Sequence, residues 1–448
     1  MSSSSHPILH ALTLNDLQAR AAFGPADMLV TAGAGTGKTR TLTARFLNLL
    51  AQGLPLRSIV AITFTRKAAR EMRQRIREQV WAYLARPDLD PKERDRWHAI
   101  ASQLEAARIS TIHSLCQEIL RSHPVEARVD PSFQVIEESR MALMQHEAVE
   151  EALFWAANQP HLAGLFAEVE ERRVRGVLAT LLGKGEDARA LLERMPNTPE
   201  ALLAAWEAEL AQRQWARLEE IMAEPDWQAA RATLMQARPR DMSDRIATQW
   251  AIALEALTLL DGVQDIAILR QAAGLLSSMK LSGGKHGAWP GGKEELKAIK
   301  EALKMLRAPF SGKSGSWLRA GLNEDDVRSA RAIVSLRSIA LKAFAIYGAR
   351  KREAHALDFD DLESQAVALL EKFPEVRAHW QAEVQALLVD EFQDTNARQA
   401  RLLELLDGGR GVRFLVGDAK QSIYRFRGAE VAVFTQTERD FEAAGRRV

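Results

Sequence analysis

The sequence predicts an α/β fold in which a parallel-sheet domain carrying a phosphate-binding loop is interrupted by a large, mainly α-helical insertion. Three observations predict it. A short apolar run, Met28-Leu29-Val30, leads through Ala32-Gly33-Ala34-Gly35-Thr36-Gly37-Lys38-Thr39 into helical spacing at Leu42, Ala44, Phe46, Leu47 and Leu50. Further short apolar runs near 58–64, 107–112, 386–389 and 412–416 each end in polar residues, as buried strands do. Between 135 and 370, Ala, Leu, Glu and Arg dominate with amphipathic spacing and few strand-like runs.

The glycine-rich stretch has the residues a phosphate site requires. Its glycines let backbone N–H groups turn inward at a helix N-terminus and cradle phosphate oxygens. Lys38 would reach the β- and γ-phosphates, and the Thr39 hydroxyl would sit on Mg²⁺. The usual pattern opens with Gly, and this chain has Ala32 there.

Composition sets the frame. The chain has 448 residues, 47% of them hydrophobic, enough for about two to four domains. Its formal net charge is +1, so any nucleic-acid contact must come from local patches rather than an overall basic field. The single cysteine, Cys116, excludes an intramolecular disulfide and a multi-cysteine metal site, and it suits a reducing cytoplasm. The first residues, Met1-Ser2-Ser3-Ser4-Ser5-His6, lack the pattern of a secretory signal, and no uninterrupted apolar stretch approaches a membrane span.

The remaining elements follow in chain order. Before the loop, Asn15 or Asp16 caps a short helix, and Gln18 offers an amide able to read an adenine edge or merely a surface helix residue. The strand Ser58–Phe64 runs into Thr65-Arg66-Lys67 and a helix with Ala68, Ala69, Met72, Ile76 and Val80 on one face and Arg66, Arg70, Arg73 and Arg77 on the other. Phe64, at a strand end beside basic residues, is either a stacking platform for a nucleic-acid base or a core residue. The run 107–112 leads to His113 and Ser114; the His and the hydroxyls contact phosphate, or Ser114 or Thr111 caps the next helix.

Within the helical middle, residues 281–293 read as a loop, and Lys280, Lys285, Lys293, Lys297, Lys300, Lys304, Arg307 and Lys313 make the neighbourhood basic. A solvated surface explains them slightly better than a duplex-backbone contact does. Asp358 and Asp361 suit a helix cap better than a metal cluster.

The strand Ala386–Val389 delivers Asp390-Glu391, the pair nucleotide hydrolysis needs: Asp390 to hold Mg²⁺ and Glu391 to orient and deprotonate water. The run Val412–Val416 leads into a stretch where Gln421 would sense a terminal phosphate. There Tyr424 and Phe426 alternate with Arg425 and Arg427 as further stacking candidates.

These pieces, in this order, resemble the UvrD/Rep group of superfamily 1 DNA helicases. The matching stretches are 14–18, 32–39, 62–72, 109–115, 389–395 and 416–428; Val-Asp-Glu-Phe-Gln-Asp-Thr and Gly-Asp-Ala-Lys-Gln-Ser-Ile-Tyr-Arg-Phe-Arg-Gly are highly specific to the group. Ala in place of the first loop glycine is usual there. Ile109–Ser114 with Asp130–Phe133 looks most like the AddA and RecB branch of break-processing helicases.

The resemblance implies a RecA-like ATP domain over 1–120 and 371–448 around a helical insertion at 121–370. It implies ATP and Mg²⁺ as ligands, with Gln18, Ala32–Thr39 and Arg40 at the nucleotide, Thr39 and Asp390 at the metal, and Lys38, Asp390, Glu391 and Gln421 in catalysis. Phe64, Thr65, Arg66, His113, Tyr424, Arg425 and Phe426 would line a single-stranded DNA path, with Phe426 replacing the more usual Trp.

The implied function is the ATP-binding half of a 3′-to-5′ helicase or translocase for recombination or double-strand-break repair. It would act at single strands and single/double-strand junctions, beside an AddB- or RecC-like partner, in the cytoplasm and without a membrane. Family members continue into a second RecA-like domain whose arginines complete the ATP site, so these 448 residues are expected to bind ATP, hydrolyse it weakly and not unwind duplex. The alternative is a non-catalytic scaffold that binds ATP and DNA. An unrelated phosphate-loop enzyme such as a kinase fits Gln421–Gly428 poorly.

Overall fold

The computed structural model describes residues 6–9, 12–24, 27–33, 35–409, 411–418 and 431–444. Ala34, Gln421, Tyr424, Arg425 and Phe426 lie outside the described residues. The contacts divide the chain into two units, Met1–Ala148 with Lys184–Glu186 and Ala345–Val448, and Val149–Gly183 with Asp187–Phe344.

The first unit is built on a five-stranded parallel sheet. Its strands are β1 (Met28–Thr31), β2 (Ile59–Thr63), β3 (Arg108–Thr111), β6 (Ala386–Val389) and β7 (Val412–Gly417), in the order β1-β7-β6-β2-β3. A separate two-stranded parallel pair joins β4 (Gln134–Val135) to β5 (Ala356–Leu357). Every residue of β2 and β6 is buried, as expected of inner strands covered on both faces. Register is set by Val60 opposite Leu387 and Leu388 opposite Phe414. In such a sheet ligands bind beyond the carboxyl ends of the strands. Here that edge gathers the glycine-rich loop after β1, Asp418 after β7, Asp390-Glu391 after β6, Phe64 after β2 and His113 after β3.

Helices cover both faces. On one, α1 (Asp16–Phe23), α2 (Lys38–Ala51), α3 (Arg66–Leu84) and α4 (Pro91–Gln103) contribute to a core containing Ala21, Leu42, Phe46, Met72, Ile76 and Trp97. On the other, α5 (Ile112–Ser122) packs with Leu362, Ala366, Leu369 and Leu370 of the helix Phe359–Lys372. That second core also takes in Val60, Phe133 and Leu387. The expected domain boundaries at 120 and 371 therefore differ from the contact boundaries at Ala148 and Ala345. Helical composition alone does not tell a helix that covers the sheet from one that leaves it.

The cap residues are readily traced. Asn15 accepts the Gln18 N–H and forms a capping box with it, Thr65 accepts from Ala68 N, and Thr111 from Ser114 N. Asp358 and Asp361 make the cap expected of them, a reciprocal box, with Lys351 Nζ 2.8 Å from Asp358 and 2.5 Å from Asp361. Arg45 is buried within the first core, donates to the carbonyls of Ala22 and Gly24, and stacks on Phe414. Burial lowers its pKa to about 10. Through those carbonyls, α2 fixes the end of α1, the helix that carries Gln18.

The second unit is helical, with a core of Trp227, Leu257, Leu276, Trp289, Leu303 and Phe310. The loop expected at 281–293 contains one short helical turn, His286–Ala288, and is pinned by Lys285 N–H donating to buried Asp244 at 2.8 Å. The helix Gly292–Arg307 buries Leu296, Ile299, Leu303 and Leu306. Its other side carries Lys293, Lys297, Lys300, Lys304 and Arg307, and among the described residues only Lys304 of these five has an ion-pair partner, Glu301. The helix Glu324–Glu353 contains an 18-residue window of mean hydropathy 1.4, long and apolar enough to cross a membrane by length and composition. Arg337 and Lys342 interrupt this helix, so it is not an uninterrupted apolar stretch, and its Ile339, Ala340 and Ala343 are buried within the protein.

Candidate nucleotide site

The loop after β1 is shaped by two glycines. Gly35 has φ +76° and Gly37 φ +89°, the left-handed region that side chains resist. A Cβ on Gly37 would also fall 2.7 Å from Gln18 Nε2. The helix α2 starts at Lys38, so its free N–H groups and positive end face the loop. Thr36 Oγ1 closes the turn by donating to Gly33 O at 2.7 Å.

Lys38 Nζ lies 2.8 Å from Glu391 Oε2, joining the loop to the turn after β6 across 353 positions of sequence. The Lys38 side chain is 9% exposed and that of Glu391 34%. Glu391 is one of three non-glycine residues with positive φ among the described residues, at +52°. That conformation turns the chain sharply at the strand end. Its carboxylate is also held by Gln393 Nε2 at 2.7 Å, while Gln393 Oε1 accepts the Asp418 N–H at 2.9 Å.

The neighbouring acids are strained electrostatically. Burial, then the Glu391 charge, pushes the Asp390 carboxyl up to about 6, against smaller pulls from the Glu391 N–H and Lys38. Asp394 is likewise raised to about 6 by burial and Glu391, and its Oδ1 is buried with no hydrogen-bond partner among the described residues. A carboxyl group held so far above its usual range gains from a nearby cation. Asp390 therefore has the donor chemistry for a hard divalent ion, and Thr39, at the start of α2, offers a hydroxyl of the kind such an ion takes. Among the described residues there is no cluster of three or more His, Cys, Asp or Glu able to hold a metal by itself.

A cleft of about 720 Å³ opens over the loop, lined by Gly35, Gly37, Lys38, Thr39, Arg40 and Glu391 and extended by Leu12, Thr13, Thr43, Arg75, Glu78 and Gln79. Arg40 donates to Thr13 O at 3.1 Å. Gln18 uses its amide within the protein: Oε1 accepts Asn15 N–H at 3.1 Å and Nε2 donates to Thr36 O at 2.8 Å. Reading an adenine edge requires an exchange of one of these bonds or use of the second amide hydrogen.

Among the described residues, the candidates for a nucleic-acid path lie along the same sheet edge. Phe64 is half-buried, and Thr65 and Arg66 are exposed, with Thr65 engaged as a helix cap. His113 Nε2 lies 2.9 Å from Glu363 Oε1, and its ring is 4.5 Å from that of Phe359, an exposed aromatic. Glu363 is buried; desolvation raises its pKa, but bonds from His113, Gln399 and Asn396 outweigh this and hold it below the usual range.

Sequence reasoning missed several of these residues. Gln393 and Asp394 follow Glu391 directly, but only the fold shows that one braces it and the other is buried. Arg75 and Gln79 are four apart on α3, a spacing that places them together without saying against what. Phe359 reads as an apolar residue beside a cap.

A family model described as the UvrD/REP helicase N-terminal domain matches residues 14–442. The chain belongs to this family. Among its relatives, the A component of the ATP-dependent helicase/nuclease of Streptococcus pneumoniae is 27% identical over 445 residues, covering 92% of this chain and 35% of the relative. The protein of the same name from Exiguobacterium sibiricum is 30% identical over 448 residues, with 93% and 36% covered. The one from Geobacillus kaustophilus is 28% identical over 475 residues, with 95% and 36% covered. The chain thus spans about a third of the length of the curated relatives it matches.

Proposed function

We propose that this chain is the ATP-binding part of a DNA helicase or translocase that moves 3′-to-5′ on single-stranded DNA in recombination or double-strand-break repair. The observation that carries this reading is the meeting of Lys38 and Glu391 at 2.8 Å, across the mouth of a glycine-rich loop, in a chain of the UvrD/REP helicase N-terminal family. The sheet unit is the RecA-like motor domain, and the helical unit is its insertion. The relatives are named as one component of a helicase/nuclease, which supports an AddB- or RecC-like partner protein. A cytoplasmic setting accords with that work on DNA.

In this reading Lys38 moves from Glu391 to the β- and γ-phosphates, a stronger anion. The backbone N–H groups of the loop, Ala32 through Thr39, cradle the phosphates. Thr39 and Asp390 hold Mg²⁺, which supplies charge neutralisation on the phosphates. Glu391, released from the cation, orients and deprotonates the attacking water. Gln18 and Arg40 serve the base end, and Gln421 contacts the terminal phosphate. Phe64, Thr65, Arg66, His113, Tyr424, Arg425 and Phe426 form the strand path, to which the exposed Phe359 ring beside His113 is added.

Two measurements test this. ATP hydrolysis with saturating single-stranded DNA should be slow but should depend on Glu391; a Glu391→Gln variant that turns over as fast as the parent removes the catalytic reading and leaves the scaffold alternative. Binding to a fluorescent oligonucleotide should weaken in the triple alanine variant at Phe64, Tyr424 and Phe426 by about 1–3 kcal/mol per base lost. It should also weaken with added salt. Undiminished affinity would make these aromatics packing residues.

A further inference from the structure

Gln393 is 2% exposed, two residues past Glu391 in the turn after β6. Both ends of its amide are engaged. Nε2 donates to Glu391 Oε2 at 2.7 Å, and Oε1 accepts the Asp418 N–H at 2.9 Å, at the end of the adjacent strand β7. The approach is tight: a Cβ on Gly417 would lie 2.7 Å from Gln393 Oε1. Glu391 Oε2 therefore receives two donors, Lys38 Nζ and Gln393 Nε2. Glu391 Oε1 has no partner among the described residues, on a side chain that lines the cleft.

The two donors differ in what nucleotide does to them. Lys38 is a cation at the phosphate loop, so phosphates compete for it. Gln393 is neutral, buried and anchored at its far end to a strand backbone, so phosphates do not draw it away. A carboxylate that acts as a base needs one oxygen braced and the other aimed at water. A neutral donor braces it with less loss of basicity than a cation imposes.

We propose that Gln393 is a positioning residue for Glu391: it holds Oε2 after Lys38 leaves, so that Oε1 stays aimed at the attacking water. The proposal rests on the reading of Glu391 as the catalytic base. Gln393→Met keeps the volume and loses both hydrogen bonds. Gln393→Glu keeps an acceptor for Asp418 N–H but turns the donor facing Glu391 into an acceptor.

The test is single-turnover hydrolysis of ATP by the 448-residue chain in excess, with nucleotide affinity and melting temperature measured alongside. Losing a hydrogen bond to a charged group predicts a rate about 10–100-fold slower in Gln393→Met. ATP affinity should stay within about threefold of the parent. Gln393→Glu should be as slow at pH 8 and approach the parent as pH falls to about 6, because the introduced carboxyl donates once protonated. Neither variant should slow Glu391→Gln further, since the brace acts through Glu391.

An unchanged rate in Gln393→Met, an equal further loss in the Glu391→Gln background, or binding that falls in step with rate would each overturn the proposal. If Glu391→Gln itself matches the parent, the base assignment has failed and the proposal with it. Crystal structures with Mg²⁺ and AMP-PNP decide the geometry without hydrolysis: Gln393 Nε2 should remain on Glu391 Oε2 after Lys38 has moved to phosphate. A Glu391 carboxylate swung off Gln393 in the parent would refute it.

Discussion

Replacing Lys38 with Ala should weaken ATP·Mg²⁺ binding by less than a bare count of phosphate contacts implies. A hydrogen bond between charged groups contributes about 1.5–3 kcal/mol when formed. In the free chain, however, Lys38 is already paired with Glu391 at 2.8 Å, and that pair must break before phosphate is bound. Because the Glu391 side chain is 34% exposed, solvent screens the pair, and breaking it costs only about 0–1 kcal/mol. The net loss on Lys38→Ala is then about 1–2 kcal/mol, or about 5–30-fold in Kd. The same reasoning gives the opposite sign at the partner: Glu391→Gln removes the resting ion pair and should tighten ATP by up to about fivefold. Isothermal calorimetry with ATP, ADP and AMP measures both effects, with AMP as the control that lacks the phosphates Lys38 reaches. ATP affinity undiminished in Lys38→Ala would reject the loop assignment. Equal losses for AMP and ATP would mean the substitution had damaged the fold rather than a phosphate contact.

Other outcomes follow from the same geometry. The Asp390 carboxyl, raised to about 6 when folded, keeps a proton that the unfolded chain has released above its ordinary value of 3.8. Its contribution to stability is thus lost as pH rises through that window. Asp390→Asn should stabilise the fold increasingly from about pH 4 to above 6, by up to about 3 kcal/mol at the plateau, seen as a growing difference in melting temperature; a pH-independent difference would refute the shift. Glu363→Ala leaves His113, Gln399 and Asn396 without their shared acceptor and should cost about 2–4 kcal/mol in urea denaturation at pH 7. Since the folded pKa of Glu363 lies below 4.5, the stability this group contributes is present above that value and lost as pH falls through the folded one; a cost that persists in acid would argue against it. Gly37→Ala combines φ +89° with a Cβ 2.7 Å from Gln18 Nε2, so it should lower stability by about 1–2 kcal/mol and weaken ATP binding. Parent-like calorimetry and melting would show that the loop relaxes freely.

What the sequence determined by itself was local. A helix start, a buried inner strand or a glycine turn depends on residues within a few positions, so Asn15, Thr111 and Asp358 could be read as caps, and Ala386–Val389 as a strand, from the residues alone. The residues of the candidate nucleotide site could be named for the same reason, since the loop spans eight consecutive positions and Asp390-Glu391 are adjacent. Tertiary structure decided what depends on contacts between distant segments. The strand order β1-β7-β6-β2-β3 places β7 between the loop strand and the strand of Glu391, which is why Asp418 meets Gln393. The helix Phe359–Lys372 belongs to the sheet unit because Leu362, Ala366, Leu369 and Leu370 find an apolar face there, a fact its amphipathic spacing does not contain. Gln18 spends its amide on Asn15 and Thr36, and His113 spends a ring nitrogen on Glu363. A polar side chain's type lists the bonds it can make, but only the packed chain determines which partner arrives within hydrogen-bond distance.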